Sequence, residues 1–270
     1  MKTAARPVPF DFKTYQEYLA ALFAWFRANG TSLRSLASRL GVSVALLSSI
    51  VKGRRNLTRQ HLELWAGELG WDDSERSFLE KALHFQNHPE RTEKAVAYKQ
   101  MTRFKKYQER SSRELVTWSY LERWWTVVIR EMSHLPGFQP DVDWVRQRML
   151  YPVAKDEIRR SLRFLQEHKL LATEGTFLRL ECHGGVYKLS LSQFHAQMLE
   201  KVVDSIYRSP SSERHVLGHT FKLSEKRLGA VKLILDRALE EIAGLAAQPS
   251  EDGEVFHVAL TAIPLTKRKP

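Results

Sequence analysis

The first 88 residues carry five amphipathic patterns, each bounded by residues that start or stop a helix. Apolar residues recur at three- and four-residue spacing in each pattern, as expected for one buried helix face. Ser32 and Ser43 precede two of the patterns and can act as N-caps, while Gly41 and Gly53 follow two of them. Period-two alternation, the mark of a strand, is missing from this stretch. The sequence therefore predicts a five-helix bundle over residues 1–88.

Within this bundle, residues 32–59 have the layout of a helix-turn-helix. Two short helical patterns flank Gly41, and a glycine there lets the second helix cross the first steeply and enter a major groove. Residues 31–66 hold six Lys and Arg and a single Glu, a balance suited to phosphate. Double-stranded DNA is the expected partner. The expected DNA-contacting residues are Ser32, Arg34, Ser43, Val44, Ala45, Ser48, Ser49, Lys52, Arg54, Arg55 and Arg59.

The side chains expected to face the bases offer little sequence discrimination. Val44 and Ala45, with an outward Leu46, can touch thymine methyl groups, and the two serines give undiscriminating hydrogen bonds. Backbone contacts are therefore expected to dominate DNA binding. An alternative stays open, in which the same apolar residues contact a protein and the chain is an interaction adaptor without sequence-specific DNA binding.

Residues 89–115 form a basic connector. Residues 91–114 contain eight Lys and Arg and three Glu, and the apolar residues among them follow a rough helical period. We expect a linker helix whose charges are either a solvated face or additional phosphate contacts.

The third segment, residues 116–270, opens with three helical patterns and a candidate hairpin. A Trp-rich helix to Met132 precedes helices over 143–149 and 154–168, and the hairpin strands are 170–172 and 177–180. This order is typical of a winged helix. It offers a possible second DNA contact through four outward cations, Lys155, Arg159, Arg160 and Arg163.

The remainder of the chain suggests a strand–helix–strand unit. Alternating residues near 215–223 and 255–265 flank a helical pattern over 224–247, after a helix over 190–209. The predicted fold class is therefore mostly α with a smaller α+β part. The third segment would dimerise the chain or sense a signal, from an unknown small-molecule or protein effector.

Two resemblances accompany these patterns. The block from Ser32-Leu33-Arg34 to Lys52-Gly53-Arg54 resembles Xre/Cro-type phage repressors. Phe10-Asp11-Phe12, Trp124-Trp125-Thr126 through Met132, and Phe194-His195-Ala196 through Leu199 resemble segments of an uncharacterised bacterial family. That family joins an Xre-like N-terminus to a C-terminal domain of unknown function. The resemblance implies a transcriptional regulator and supplies no activity, ligand or catalytic residue.

Composition narrows the function classes. Lys and Arg number 42 against 31 Asp and Glu, a net charge of +11 that favours an anionic partner. One cysteine, Cys182, excludes a disulfide framework, and we expect no catalytic, metal or cofactor site and no enzyme activity. The longest apolar run, 18–26, is too short to span a membrane, so we expect a cytoplasmic protein. Because one helix-turn-helix contacts a half-site, a homodimer is expected.

Overall fold

The regular structure in the described part of this chain is helical. The computed structural model describes residues 5–171, 185–248 and 252–267, and within these ranges no strand is present. The prediction of a mostly α protein is confirmed. The helices are α1 (Tyr15–Ala28), α2 (Leu33–Arg39), α3 (Val44–Val51), α4 (Arg59–Leu69), α5 (Asp73–Asn87), α6 (Arg91–Met101), α7 (Lys105–Arg110), α8 (Ser112–Glu122), α9 (Trp124–Met132), α10 (Val142–Arg148), α11 (Lys155–Glu167), α12 (Gly185–Arg208) and α13 (Glu225–Ala246).

The described residues divide into two compact units. The first comprises residues 5–119 with 185–192, and the second comprises 120–171, 193–248 and 252–267. Each has its own packing, and each is described in turn.

In the first unit, α1 to α5 enclose a core of aliphatic and aromatic side chains. Its largest fully buried members include Tyr15, Tyr18 and Trp65. The predicted caps Ser32 and Ser43 are confirmed, and Thr58 and Asp72 cap the next two helices. Each of these side chains accepts a hydrogen bond from a backbone N–H in the first turn of its helix. Local capping chemistry thus sets where these helices begin.

A second core in the same unit involves the connector. Residues 91–110 form α6 and α7, which bury Tyr98, Met101 and Tyr107 against Phe10 and Phe78. The apolar side of this charged segment is therefore part of a packed core.

The second unit contains a three-helix group of α9, α10 and α11. Ile129, Val145 and Ile158, one from each helix, are fully buried there. The predicted Trp-rich helix is broken at Arg123, so that α8 and α9 are separate helices. The side-chain amide of Gln197 compensates the break, because it accepts from Trp124 N at 3.2 Å and donates to the Glu122 carbonyl at 3.0 Å.

The smaller α+β part of the predicted fold class is wrong. Residues 215–223 and 255–265 are irregular, although the helix between them is present as α13. Their alternating apolar residues fit an extended backbone, but a strand also needs a neighbouring strand to pair its N–H and C=O groups. Neither segment has such a neighbour within the ranges that the structure describes. The predicted hairpin lies almost entirely outside those ranges, from residue 172 onward.

In the part of the chain that is described, no single helix is long and apolar enough to cross a membrane. The pair α2 and α3 satisfies that length and composition test only when taken together, across a bend of 101°.

Candidate nucleic-acid interface

Helices α2 and α3 meet at a steep angle across a four-residue turn. Their axes differ in direction by 101°, and residues 40–43 connect them. Gly41 in this turn has a φ of 68°, and Val42 N donates to the Ala37 carbonyl at 3.0 Å, which closes the end of α2. A crossing of about 90–120° over a short glycine-containing turn is the geometry of a helix-turn-helix.

The two helices are fixed by their buried faces and by their caps. Leu36 in α2 and Leu47 and Ile50 in α3 are buried in the core of the first unit. At the start of α3, Ser43 Oγ accepts from Leu46 N at 3.1 Å, and Ser32 Oγ accepts from Ser35 N at the same distance in α2. The exposed face of α3 therefore has a defined orientation.

The segment that follows α3 is folded back against the end of that helix. Gly53 has a φ of 68°, which allows the N–H groups of Arg54 and Arg55 to reach the Ser49 carbonyl at 2.8 and 3.2 Å. These bonds hold the backbone of both arginines beside the last turn of α3.

The far end of the same segment is also anchored. Leu57 is buried, its N–H donates to Tyr15 Oη at 3.3 Å, and its carbonyl accepts from Asn87 Nδ2 at 3.4 Å. Tyr15 Oη in turn donates to Asn87 Oδ1 at 3.4 Å. Residues 52–57 are thus fixed to α3 at one end and to α1 and α5 at the other.

The predicted cations of this region differ in their ion pairing. Arg34, Lys52, Arg54 and Arg55 are exposed, and within the described ranges no carboxylate lies within 4.0 Å of their charged groups. Arg59 differs, because its Nε lies 3.4 Å from Glu63 and 3.5 Å from Glu80. The structure therefore leaves four of the five predicted cations available to an external anion.

The residues predicted to face the bases differ from one another in their exposure to solvent. Val44 and Ala45 are exposed, while Ser48 and Ser49 are half-buried. The prediction of an outward Leu46 is wrong, because that side chain packs against the core and is half-buried. The apolar surface at the start of α3 is consequently smaller than the sequence suggested.

The four cations predicted as a second contact all lie on α11, and three of them are paired. Lys155 Nζ is 2.6 Å from Asp143 Oδ1, Arg159 pairs with Asp156, and Arg160 pairs with Glu157. Arg163 is exposed, and no carboxylate of the described residues is within ion-pair distance of it. The pairing of Lys155 lowers the pKa of Asp143.

One feature near the site was missed from the sequence. His61 Nδ1 accepts from Thr58 N at 3.2 Å, and Thr58 Oγ1 accepts from His61 N at 3.3 Å, so the two residues form a capping box at the start of α4. Burial lowers the pKa of His61, whose ring stacks on Trp65 at 4.8 Å. Histidine is not one of the usual residues at this position of a capping box, so the box could not be recognised from the residue types alone.

Comparison with known proteins concerns mainly the other end of the chain. A family model described as a domain of unknown function (DUF4423) matches residues 105–265. The match begins at the first residue of α7 and leaves α1 to α6 outside it. No curated protein and no solved structure matches the chain. Within the described ranges, no group of three or more His, Cys, Asp or Glu is placed to hold a metal.

Proposed function

This chain belongs to the DUF4423 family, and we propose that it is a DNA-binding transcriptional regulator that contacts duplex DNA through α2, α3 and the segment after them. One observation carries the proposal. Exposed cations, for which the described part of the chain supplies no carboxylate partner, lie on a backbone segment that is fixed beside a steeply crossed second helix. This is the arrangement in which a helix enters the major groove while flanking cations contact phosphates.

The residues divide into two roles. Arg34, Lys52, Arg54 and Arg55 would contact phosphates, with the N-terminal turns of α2 and α3 at Ser32 and Ser43 beside them. Arg59 would join them after exchanging its carboxylate partners for phosphate.

Val44, Ala45, Ser48 and Ser49 would face the base edges. Exposed methyl groups and two half-buried hydroxyls distinguish bases weakly, so most of the affinity would come from the DNA backbone. The C-terminal region, which contains the greater part of the family match, would dimerise the chain or sense an effector.

The direct test is the salt dependence of binding to duplex DNA. Four phosphate contacts predict that log affinity falls with log salt at a slope of about −4 between about 50 and 200 mM salt. The variant Arg54→Ala/Arg55→Ala should reduce the magnitude of that slope by about 2 and weaken binding for all sequences alike. Fluorescence anisotropy with labelled duplexes measures both quantities.

A matched control is available in α11. Arg159→Ala/Arg160→Ala removes the same charge from a helix that is not part of α2, α3 or the segment after them, and Asp156 and Glu157 pair with these two arginines. Its slope should stay within about 0.5 of the wild-type slope. Absent or salt-independent binding would contradict the proposal, as would equal effects of the two double variants.

A second candidate function is a protein-interaction adaptor. Exposed Val44, 37% accessible, and its neighbour Ala45 favour it, because apolar side chains on an exposed helix start suit a protein contact. The variant Val44→Ser/Ala45→Ser separates the two functions. An adaptor would lose a partner in a pull-down while its DNA affinity stays unchanged.

A further inference from the structure

Helix α13 has a continuous apolar stripe that its own chain covers only in part. Residues three and four positions apart lie on one helix face, and here they are Leu228, Val231, Leu235, Ala238, Ile242 and Leu245. None of the 22 residues of α13 is buried. Five members of the stripe are half-buried, and Leu245 is 67% exposed. Ile234 and Leu239, at the edges of the stripe, are 55% and 47% exposed.

Helix α11 of the same unit shows how an apolar face is covered when neighbouring helices pack against it. Helix α11 is also amphipathic, and there Ile158, Leu162 and Leu165 are all buried. Fully burying an aliphatic side chain stabilises a structure by about 1.5–3 kcal/mol, so a half-covered stripe of this length still favours association.

The charges along α13 indicate which partner would fit. Residues 225–234 carry three basic groups and one acidic group, and residues 235–246 carry three acidic groups and one basic group. An isolated helix prefers the reverse, with acidic groups near its N-terminus and basic groups near its C-terminus. An antiparallel copy of the same helix would place each basic half against an acidic half, whereas a parallel copy would place like charges together.

We infer that α13 packs against α13 of a second copy of this chain, antiparallel, through the stripe that contains Leu235. A two-fold axis across the helix pair makes this contact self-complementary, and each copy supplies the same apolar and charged residues. The inference deepens the dimerisation proposed above for the C-terminal region. Its assay contains no DNA, so a failed dimer and a failed DNA contact remain separate results.

The first test compares two leucines on opposite faces of α13. Leu235→Lys places a charge in the stripe, while Leu233→Lys makes the same change two positions away, a rotation of about 200° around the helix. Sedimentation equilibrium of the full chain should give a dimer for the wild type and for Leu233→Lys. Leu235→Lys should weaken dimerisation by about a hundredfold, because each of the two copies loses a buried leucine.

The second test exchanges charges and does not depend on the core of the stripe. Lys226→Glu/Arg227→Glu should weaken the dimer by about tenfold, and adding Glu240→Lys/Glu241→Lys in the same chain should restore it. Circular dichroism confirms that each variant keeps its helices. A wild type that stays monomeric, a dimer unaffected by Leu235→Lys, or a charge exchange without restoration would each overturn the inference.

Discussion

Residues 15–87 and residues 209–267 have equally clear amphipathic patterns, but they treat their apolar side chains differently. The N-terminal region buries Leu22, Leu36 and Ile50 in a shared core. In the C-terminal region, side chains as large as Phe221 and Phe256 remain exposed, at 67% and 77%. A periodic pattern therefore identifies which face of an element is apolar, but it does not identify what covers that face.

The largest expected contrast between these regions is in core truncation. Ile50→Ala should lower the free energy of unfolding by about 3 kcal/mol, because Ile50 is fully buried. Leu235→Ala should cost less than about 1 kcal/mol in dilute protein, with a cost that grows with concentration if α13 pairs with a second copy. Urea denaturation at two protein concentrations measures both. Equal losses of unfolding free energy for the two variants in dilute protein would contradict the difference in burial between the two regions.

The next largest expected difference in stability concerns the ion pair of the buried Glu75 carboxylate. Arg6 Nη2 lies 2.6 Å from both carboxylate oxygens of Glu75, whose side chain is 2% exposed. Arg6→Ala should cost about 2 kcal/mol, because it leaves that carboxylate buried without its cation. Adding Glu75→Gln should recover part of the loss. In the C-terminal region, Arg237→Ala removes an exposed cation and should cost less than about 0.5 kcal/mol.

Replacing glycine by alanine should change the stability in opposite directions at two positions. Gly41 has a φ of 68° and nothing within 4 Å of an added Cβ, so Gly41→Ala should cost about 1 kcal/mol through backbone strain alone. Gly229 is inside α13 and equally open, so Gly229→Ala should stabilise its helix by about 0.5–1 kcal/mol. Thermal unfolding followed by circular dichroism measures both signs. A neutral Gly41→Ala would mean that the turn does not need its left-handed residue.

The smallest expected effect is a dependence on pH in the N-terminal region. Burial lowers the pKa of His61 in the folded chain, so the unfolded chain takes up the proton first as pH falls. The stability that neutral His61 contributes is complete above its unfolded pKa and is lost as pH falls through its folded pKa. His61→Gln keeps a capping residue at this position and should flatten the unfolding free energy between about pH 7 and 5. An unchanged slope would exclude His61 as its source.

Features set by neighbouring residues were predictable from the sequence. Ser32 and Ser43 cap helices as predicted, because an N-cap and its N–H partner lie within three residues of each other. The break at Arg123 was not predictable, since the side chain that compensates it, Gln197, is distant in the sequence.

The candidate site was predictable in part for the same reason. A sequence shows that cations cluster after α3, but not that Arg59 meets Glu80 of another helix. The pairing of Arg159 and Arg160 with carboxylates three residues earlier could have been predicted from the sequence, because this spacing brings side chains together on a helix. The prediction of strands was wrong because an alternating apolar pattern does not specify which other segment would pair with it.

The double anchoring of residues 52–57 has a consequence for the kinetics and energetics of recognition. Immobilising the backbone of one residue costs about 1–2 kcal/mol of conformational entropy. A flexible segment would lose that amount for every residue that becomes ordered on DNA. Here folding has already restricted the main chain through Ser49, Tyr15 and Asn87, so docking would need to order side chains alone. Such preorganisation favours rapid capture without a rearrangement step.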